Sequence, residues 1–194
     1  MVLKRFIWNK IGLRRLTTLF KVIVELGYTP NAWCEAKVIF IPKLGKKDYS
    51  EARSFRPISL LSFLFKTVER LVFWEFEHKV LRDKPLLLNQ HAFRKGFSTE
   101  TALSSLINNV EKSIYQSEFC LVASLDVCGA FDVLRYKDII AALRRRNTPT
   151  HITRWYERFL RNRRASVAFS DIVKCFKLQA GTAQGGVLSP IIWC

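Results

Sequence analysis

The sequence predicts an α+β fold, and three observations carry the prediction. Apolar residues recur at helical spacing in five stretches, near residues 13–26, 59–81, 98–115, 136–146 and 151–161. Shorter β-branched and aromatic runs at 36–41, 119–126, 164–169 and 173–178 read as strands. No internal repeat and no linker-like segment separates these elements, so any lobes are folded together rather than strung out.

Each element has its own local reason. Leu13, Leu16, Phe20, Ile23 and Leu26 make the apolar stripe of a first helix, and Gly27 followed by Pro30 stops it. After the run at 36–41, Pro42, Lys43, Gly45, Lys46 and Lys47 form a basic turn, and the chain is extended again towards Arg56 and Pro57, which predicts a basic β-ribbon. From Ser59 to about Leu81 the pattern is helical and apolar on more than one side. Ser98 or Thr99 caps the next helix, with Glu100 in its first turn set favourably against the helix dipole.

Phe119, Leu121, Ala123 and Leu125 alternate with Cys120, Val122, Ser124 and Asp126, a strand pattern whose last residue is an acid. Two basic helices follow. A hairpin around Ser170 and Asp171 then leads into a glycine-rich turn at 181–186, and the chain reaches Cys194 a few residues into a further helical stretch.

Composition narrows the class. Of 194 residues, 49% are hydrophobic and 25% charged, which excludes disordered, collagenous and low-complexity readings of the whole. A chain of this length buries roughly 70% of its unfolded surface, enough for one good core or two small lobes. Lys66, Glu69 and Arg70 interrupt the most apolar region, so no transmembrane helix is predicted. The first 24 residues hold six basic groups and no acid but lack the apolar run of a secretory signal. The five cysteines, without a CxxC pair, read as reduced, buried thiols rather than disulfides or zinc ligands.

The net charge of +16 is unevenly spread. Ten Lys and Arg between Arg135 and Arg164 stand against Asp138 and Glu157, a net +8 in 30 residues. A second cluster, Lys37, Lys43, Lys46, Lys47, Arg53, Arg56 and Lys66, surrounds the ribbon. Charge this concentrated points to a polyanion partner; the plainer alternative is a solvated basic face. Phe159 reads as core by its helical spacing, while Trp155 is open between core and a base-stacking platform.

An acid at a strand end with small residues beside it suits a metal ion carrying a phosphorylated ligand, although a surface or capping role is the ordinary reading of a single Asp. Five segments then acquire meaning together: WCEAKVIFIPK at 33–43, SFRPISLLS at 54–62 with Lys66 and Glu69 behind it, QHAFRKGFSTET at 90–101, SLDVCGAFD at 124–132 and GTAQGGVLSP at 181–190. In this order and approximate spacing they resemble the reverse transcriptase (RNA-directed DNA polymerase) domain of non-LTR retrotransposons, in particular the jockey type.

The resemblance implies a right-hand polymerase fold. Residues 1–35 would be an N-terminal helical extension, 36–118 the fingers and fingers–palm helices, and 119–194 a palm that stops before the second catalytic carboxylate motif, with no thumb. It implies that Asp126, with the backbone carbonyl of Val127, helps to hold two catalytic Mg²⁺ ions. Lys43 and Arg56 would grip the incoming triphosphate, Arg56 through its planar fork and Lys43 as a point charge. Phe131 would lie under the sugar of the incoming dNTP and exclude a 2′-hydroxyl. Gln184 would contact the nucleotide near its sugar and help to align the template. Asp132 belongs to the same motif, but capping of the next helix explains it equally well.

The implied activity is metal-dependent nucleotidyl transfer from dNTPs to a DNA primer 3′-hydroxyl on an RNA template. The implied setting is a retrotransposon ribonucleoprotein in nucleus or cytoplasm, with neither secretion nor a membrane partner. Ala183 stands where the family usually has proline, which loosens the turn before Gln184. The family's next motif, a hairpin carrying two aspartates, has no equivalent here, so this stretch alone is expected to be inactive. The competing reading is a non-catalytic, basic nucleic-acid-binding remnant of a decayed element.

Overall fold

Residues 10–194 are described by the structure, a computed structural model. The first nine residues of the predicted 1–35 extension lie outside the described residues. Helix α1 (Lys10–Leu26) forms where the periodicity places it. It closes with the Gly27 N–H donating to the Val24 carbonyl at 3.1 Å and the Tyr28 N–H to the Ile23 carbonyl at 3.0 Å, satisfying two last-turn acceptors. Its buried side chains are Phe20, Ile23 and Val24, whereas Leu13 and Leu26 are exposed. The buried stripe is shorter and slightly rotated from the predicted one.

A short helix, α2 (Asn31–Cys34), leads into β1 (Glu35–Pro42), which pairs antiparallel with β2 (Phe55–Leu60) as the predicted ribbon. The ladder occupies residues as far as Leu60, so helix α3 (Phe63–Phe76) starts after Ser62 rather than at Ser59. It runs on through a π-helical turn, Glu77–Leu81. Helix α4 (Thr99–Tyr115) opens with the reciprocal Ser98–Thr101 capping box and buries no residue of its own. Helices α5 (Tyr136–Arg145) and α6 (Thr150–Asn162) precede the hairpin of β3 (Arg164–Phe169) and β4 (Ile172–Lys177), and a short α7 (Ser189–Trp193) follows the glycine-rich turn.

The sheet has the order β2-β1-β3-β4, with β3 parallel to β1 and antiparallel to β4. A parallel pair requires a long crossover, and the helices between β2 and β3 supply it. No helix among the described residues is long and apolar enough to cross a membrane.

The core lies between α3 and α6. Ile152, Trp155, Tyr156, Phe159 and Leu160 recur at helical spacing and are all buried, opposite the polar face of Arg154, Glu157, Arg158 and Arg161. From α3, the Phe65 ring stacks 4.2 Å from Phe159 and 5.8 Å from Trp155, centroid to centroid. Trp155 is fully buried in this stack, so it belongs to the core and offers no platform to a base.

Two expectations are corrected. Residues 119–127 form no strand, and the side chains on both alternating faces, including Leu121, Val122 and Leu125, are exposed. Alternation makes a strand only where a neighbour completes the ladder, and the four described strands pair with one another instead. The five cysteines are all free, but burial holds only for Cys34, whose thiol it pushes up to about 11. Cys120, Cys128 and Cys175 are exposed, and Cys194 is partly so.

Several cations of the basic cluster at 135–164 bond within the fold, although most of their side chains stay exposed and only Arg163 is buried. Arg154 donates to the Glu25 carbonyl, and Arg158 donates to the Leu26 carbonyl at 2.8 Å, so two cations of α6 cap the C-terminal end of α1. Arg146 donates to the Lys84 carbonyl at 2.9 Å. Arg135 pairs with Asp138, and Arg144 and Arg161 share Glu157. Arg144, Arg146, Arg154 and Arg158 thus join elements, while the Arg135 and Arg161 pairs are local, and Arg135, Arg144 and Arg161 remain 66%, 69% and 71% exposed.

Replacing Phe65 by alanine empties the centre of the aromatic stack and is expected to lower the unfolding free energy by roughly 3–5 kcal/mol. Equilibrium urea denaturation measures it. A loss under about 1 kcal/mol, the size of an ordinary substitution, would show that the stack is not central to the core.

Candidate active site

Backbone approach closer than a side chain permits defines the turn at 181–186. A Cβ on Gly181, at φ +80°, would lie 2.8 Å from the Phe131 carbonyl oxygen. One on Gly185, at φ +116°, would lie 2.8 Å from the Ser59 carbonyl oxygen. Both positions therefore require glycine for space and for conformation. The Gly181 N–H donates to the Leu134 carbonyl and the Thr182 N–H to the Phe131 carbonyl, each at 2.7 Å, which joins the turn to the segment after Asp126. On its other side the Ser59 N–H of β2 donates to the Gln184 carbonyl at 2.8 Å.

Ala183 does not leave the turn loose. Its carbonyl accepts both the Gly186 N–H at 2.8 Å and the Ser189 hydroxyl at 2.7 Å, and its methyl is buried. These bonds supply the restraint for which the proline of the motif was expected.

Two buried ionisable side chains hold the ends of the turn. Arg163, at the close of α6, is 3% exposed and donates to the Gly181 carbonyl at 2.6 Å. Glu69, on the core face of α3, is 1% exposed, and its Oε2 accepts the Val187 N–H at 3.0 Å. Burial pushes the Glu69 carboxyl up to about 7, against the pull of the Val187 and Leu188 N–H groups, Lys66 and Arg163. Burial also raises the Tyr156 hydroxyl, and the neighbouring Glu69 raises it further.

Between turn, ribbon and β3 lies a cavity of about 220 Å³, walled by Val38, Pro57, Ser59, Asp132, Arg163, Thr182 and Gln184 among others. Pockets that enclose a drug-sized ligand run to roughly 300–1,000 Å³, so this one suits part of a nucleotide rather than the whole. The Thr182 hydroxyl is buried with no hydrogen-bond partner among the described residues, and Thr182 lines the cavity.

The structure gathers some predicted residues and leaves others apart. Gln184 lines the cavity, and Phe131 meets the turn through its carbonyl while its ring lies 6.3 Å from that of Trp193. Asp132 also lines the cavity and is not the cap of α5, whose N-cap is Arg135. Lys43 and Arg56 sit together at the ribbon tip, since Ile41 pairs with Arg56 and the Lys43 N–H donates to Ser54. By strand alternation they share the face opposite Val38, Pro57 and Ser59. The Lys43 ammonium donates to the Arg53 carbonyl at 2.9 Å.

Asp126 and Val127 are exposed, and the Asp126 carboxylate makes no hydrogen bond or ion pair among the described residues. No group of three or more His, Cys, Asp or Glu that could hold a metal ion occurs among those residues. As placed, they do not fit a two-metal centre, which needs several converging oxygens.

Sequence reasoning missed Arg163, Thr182 and the role of Glu69. The signal for Glu69 was present: it falls at a core position of the helical pattern made by Phe65, Val68, Val72 and Phe76.

The family model described as "Reverse transcriptase (RNA-dependent DNA polymerase)" matches residues 41–194. The chain is 29% identical over 183 residues to the RNA-directed DNA polymerase from mobile element jockey of Drosophila melanogaster, covering 94% of this chain and 20% of the relative. It is 30% identical over 181 residues to the probable RNA-directed DNA polymerase from transposon X-element of the same fly, covering 92% and 20%. Against the type-1 retrotransposable element R2 polyprotein of Nasonia vitripennis the identity is 26% over 193 residues, covering 96% and 18%. The chain thus spans about a fifth of the length of the curated relatives it matches.

The Glu69 shift fixes a pH dependence. Below the ordinary carboxyl value of 4.5 the group is protonated folded and unfolded, and contributes no difference. Between 4.5 and about 7 the unfolded chain releases the proton while the folded one retains it, so stability from this group falls as pH rises. Relative to a Glu69→Gln variant, the wild type should lose roughly 3 kcal/mol across that window. Urea titrations at several pH values measure the gap; parallel curves for the two proteins would refute the shift.

Proposed function

Because the chain belongs to the reverse transcriptase (RNA-dependent DNA polymerase) family, we propose that it forms part of a retrotransposon polymerase that extends a DNA primer on an RNA template. The observation that carries this reading is the docking of the Gln184 turn on the β-ribbon, which borders a cavity beside the segment bearing Phe131 and Asp132. In this reading the ribbon belongs to the fingers, and the helices with the hairpin at their end belong to the fingers and palm.

Gln184 contacts the sugar of the incoming dNTP, and Phe131, whose ring stands beside Trp193 next to the turn, excludes a 2′-hydroxyl. Lys43 and Arg56, at the ribbon tip, take the triphosphate by charge; because they lie on the face opposite the cavity, reaching the nucleotide held at Gln184 requires the triphosphate to pass around the ribbon or the ribbon to turn. Asp126 and the Val127 carbonyl are two of the several oxygens that Mg²⁺ ions in such a polymerase require. The polymerase works within a ribonucleoprotein of the nucleus or cytoplasm.

A second reading is favoured by the exposed, unpartnered Asp126: a basic nucleic-acid-binding segment without catalysis. Both readings predict that fluorescence anisotropy with an RNA–DNA primer–template shows affinity falling at least about tenfold between 50 and 200 mM salt, through counterion release. Salt-insensitive binding would refute both. Primer extension separates them, using a jockey-type polyprotein in which residues 41–194 replace the matching segment. Extension that Asp126→Asn abolishes supports the polymerase, whereas substantial extension by the variant removes Asp126 from the mechanism. No extension by the unmutated chimera favours the second reading.

A further inference from the structure

We propose that Glu69 is a positioning residue for Gln184, its buried carboxyl group holding the turn that carries the glutamine in register with the cavity. The inference rests on the reading of Gln184 as a nucleotide contact. The resemblance assigns Glu69 no role, and its position inside the fold supplies one. Its neighbours on the same face of α3, Phe65, Val68 and Val72, are all core residues, so the side chain has no route to water.

What Glu69 touches is the turn. Its Oε2 takes the Val187 N–H at 3.0 Å, and its Oε1 lies 3.2 Å from where a Cβ on Gly186 would stand, so the backbone of the turn rests on the carboxyl group. Gln184 lies three residues before that amide, and its own carbonyl is held by the Ser59 N–H at 2.8 Å. The glutamine is therefore bracketed between β2 on one side and α3 on the other. Without Glu69 the Val187 amide loses its acceptor inside the protein, and beyond Gln184 the turn keeps only its internal bonds, since its other anchors, Ser59, Leu134, Phe131 and Arg163, all meet it at Gln184 or before.

The charged and titratable groups that face Glu69 are Lys66 from its own helix, Arg163 from the end of α6 and Tyr156 from within α6, with Tyr136 of α5 beyond Tyr156. The two cations favour a charged carboxylate and burial favours a neutral one. The strength of the Val187 bond consequently changes with pH, which a merely space-filling side chain would not show.

Hydrogen–deuterium exchange on the full chain tests the clamp. In Glu69→Ala, amides at 181–188 should exchange at least about tenfold faster while those of α3 and α6 keep their protection, and Glu69→Gln, which retains an acceptor oxygen, should restore most of the difference. Unchanged exchange at 181–188, or failure of glutamine to restore it, would overturn the proposal. Should Glu69→Ala lose protection throughout, the pH profile decides. Protection of 181–188 relative to α6 should change between pH 6 and 8 in the wild type and stay flat in Glu69→Gln; flat profiles in both would overturn the proposal.

Binding of a fluorescent dNTP to the full chain on a primer–template separates the two levels. Gln184→Ala and Glu69→Ala should weaken it to a similar extent, with Glu69→Gln close to wild type. If Gln184→Ala leaves binding unchanged, or the wild type binds no dNTP, the reading of Gln184 has failed and takes the proposal with it, whatever exchange shows. If Gln184→Ala weakens binding and Glu69→Ala does not, the proposal alone has failed.

Discussion

Two buried ionisable side chains, Arg163 and Glu69, govern the path of the chain around the cavity. Arg163 and Glu69 are 3% and 1% exposed, and a charged group without partners in such surroundings costs several kcal/mol. Neither takes the other as a direct ion-pair partner. Each instead meets the backbone of one turn, Arg163 at the Gly181 carbonyl and Glu69 at the Val187 amide. The turn is thereby required by the core: moving it would leave a cation and a carboxyl group unsatisfied between α3 and α6. Its glycines follow from the same requirement, since Gly181 and Gly185 stand where backbone meets backbone at distances no Cβ allows.

The same economy appears in the basic residues. A net charge of +16 invites an electrostatic account of the whole molecule, yet many of its densest arginines are spent on carbonyls and carboxylates within the fold. Arg154 and Arg158, one turn apart on α6, close the C-terminal end of α1 and join two elements that are distant in sequence. The ribbon differs. Lys46, Lys47 and Arg56 are exposed there, on an antiparallel pair whose position is set by the rest of the sheet. The ribbon thus carries exposed charge at its tip, and the helical cluster joins elements while keeping most of its cations exposed.

What the sequence made legible follows from where each signal is encoded. Helices α1, α4, α5 and α6 are written locally, in apolar spacing and caps such as Ser98, and appear within a few residues of their predicted limits. The ribbon and the β3–β4 hairpin were legible for the same reason, because turn residues bracket short β-branched runs. The parallel pairing of β1 with β3 was not legible, since its two strands are more than a hundred residues apart and no local pattern encodes the partner. Within the site, Gln184 and Phe131 were legible through motif resemblance. Arg163 was hidden in a run of surface-like arginines, and only its burial distinguishes it.

The segment at 119–127 shows the limit of alternation as a signal. Its period of two is as clear as that of any strand in the chain, but periodicity states which residues would share a face and says nothing of what lies against that face. The four described strands pair with one another without it, and both of its faces are exposed. The two halves of the candidate site consequently differ in kind. Gln184 is held by β2 and by bonds within its turn, and that turn is anchored by two buried side chains, so its place is a property of the folded core. Asp126 is held by none of the described side chains, so its place depends on what the 119–127 segment pairs with. A residue at the end of an unpaired strand pattern can carry the right chemical group and still lack the geometry that chemistry needs.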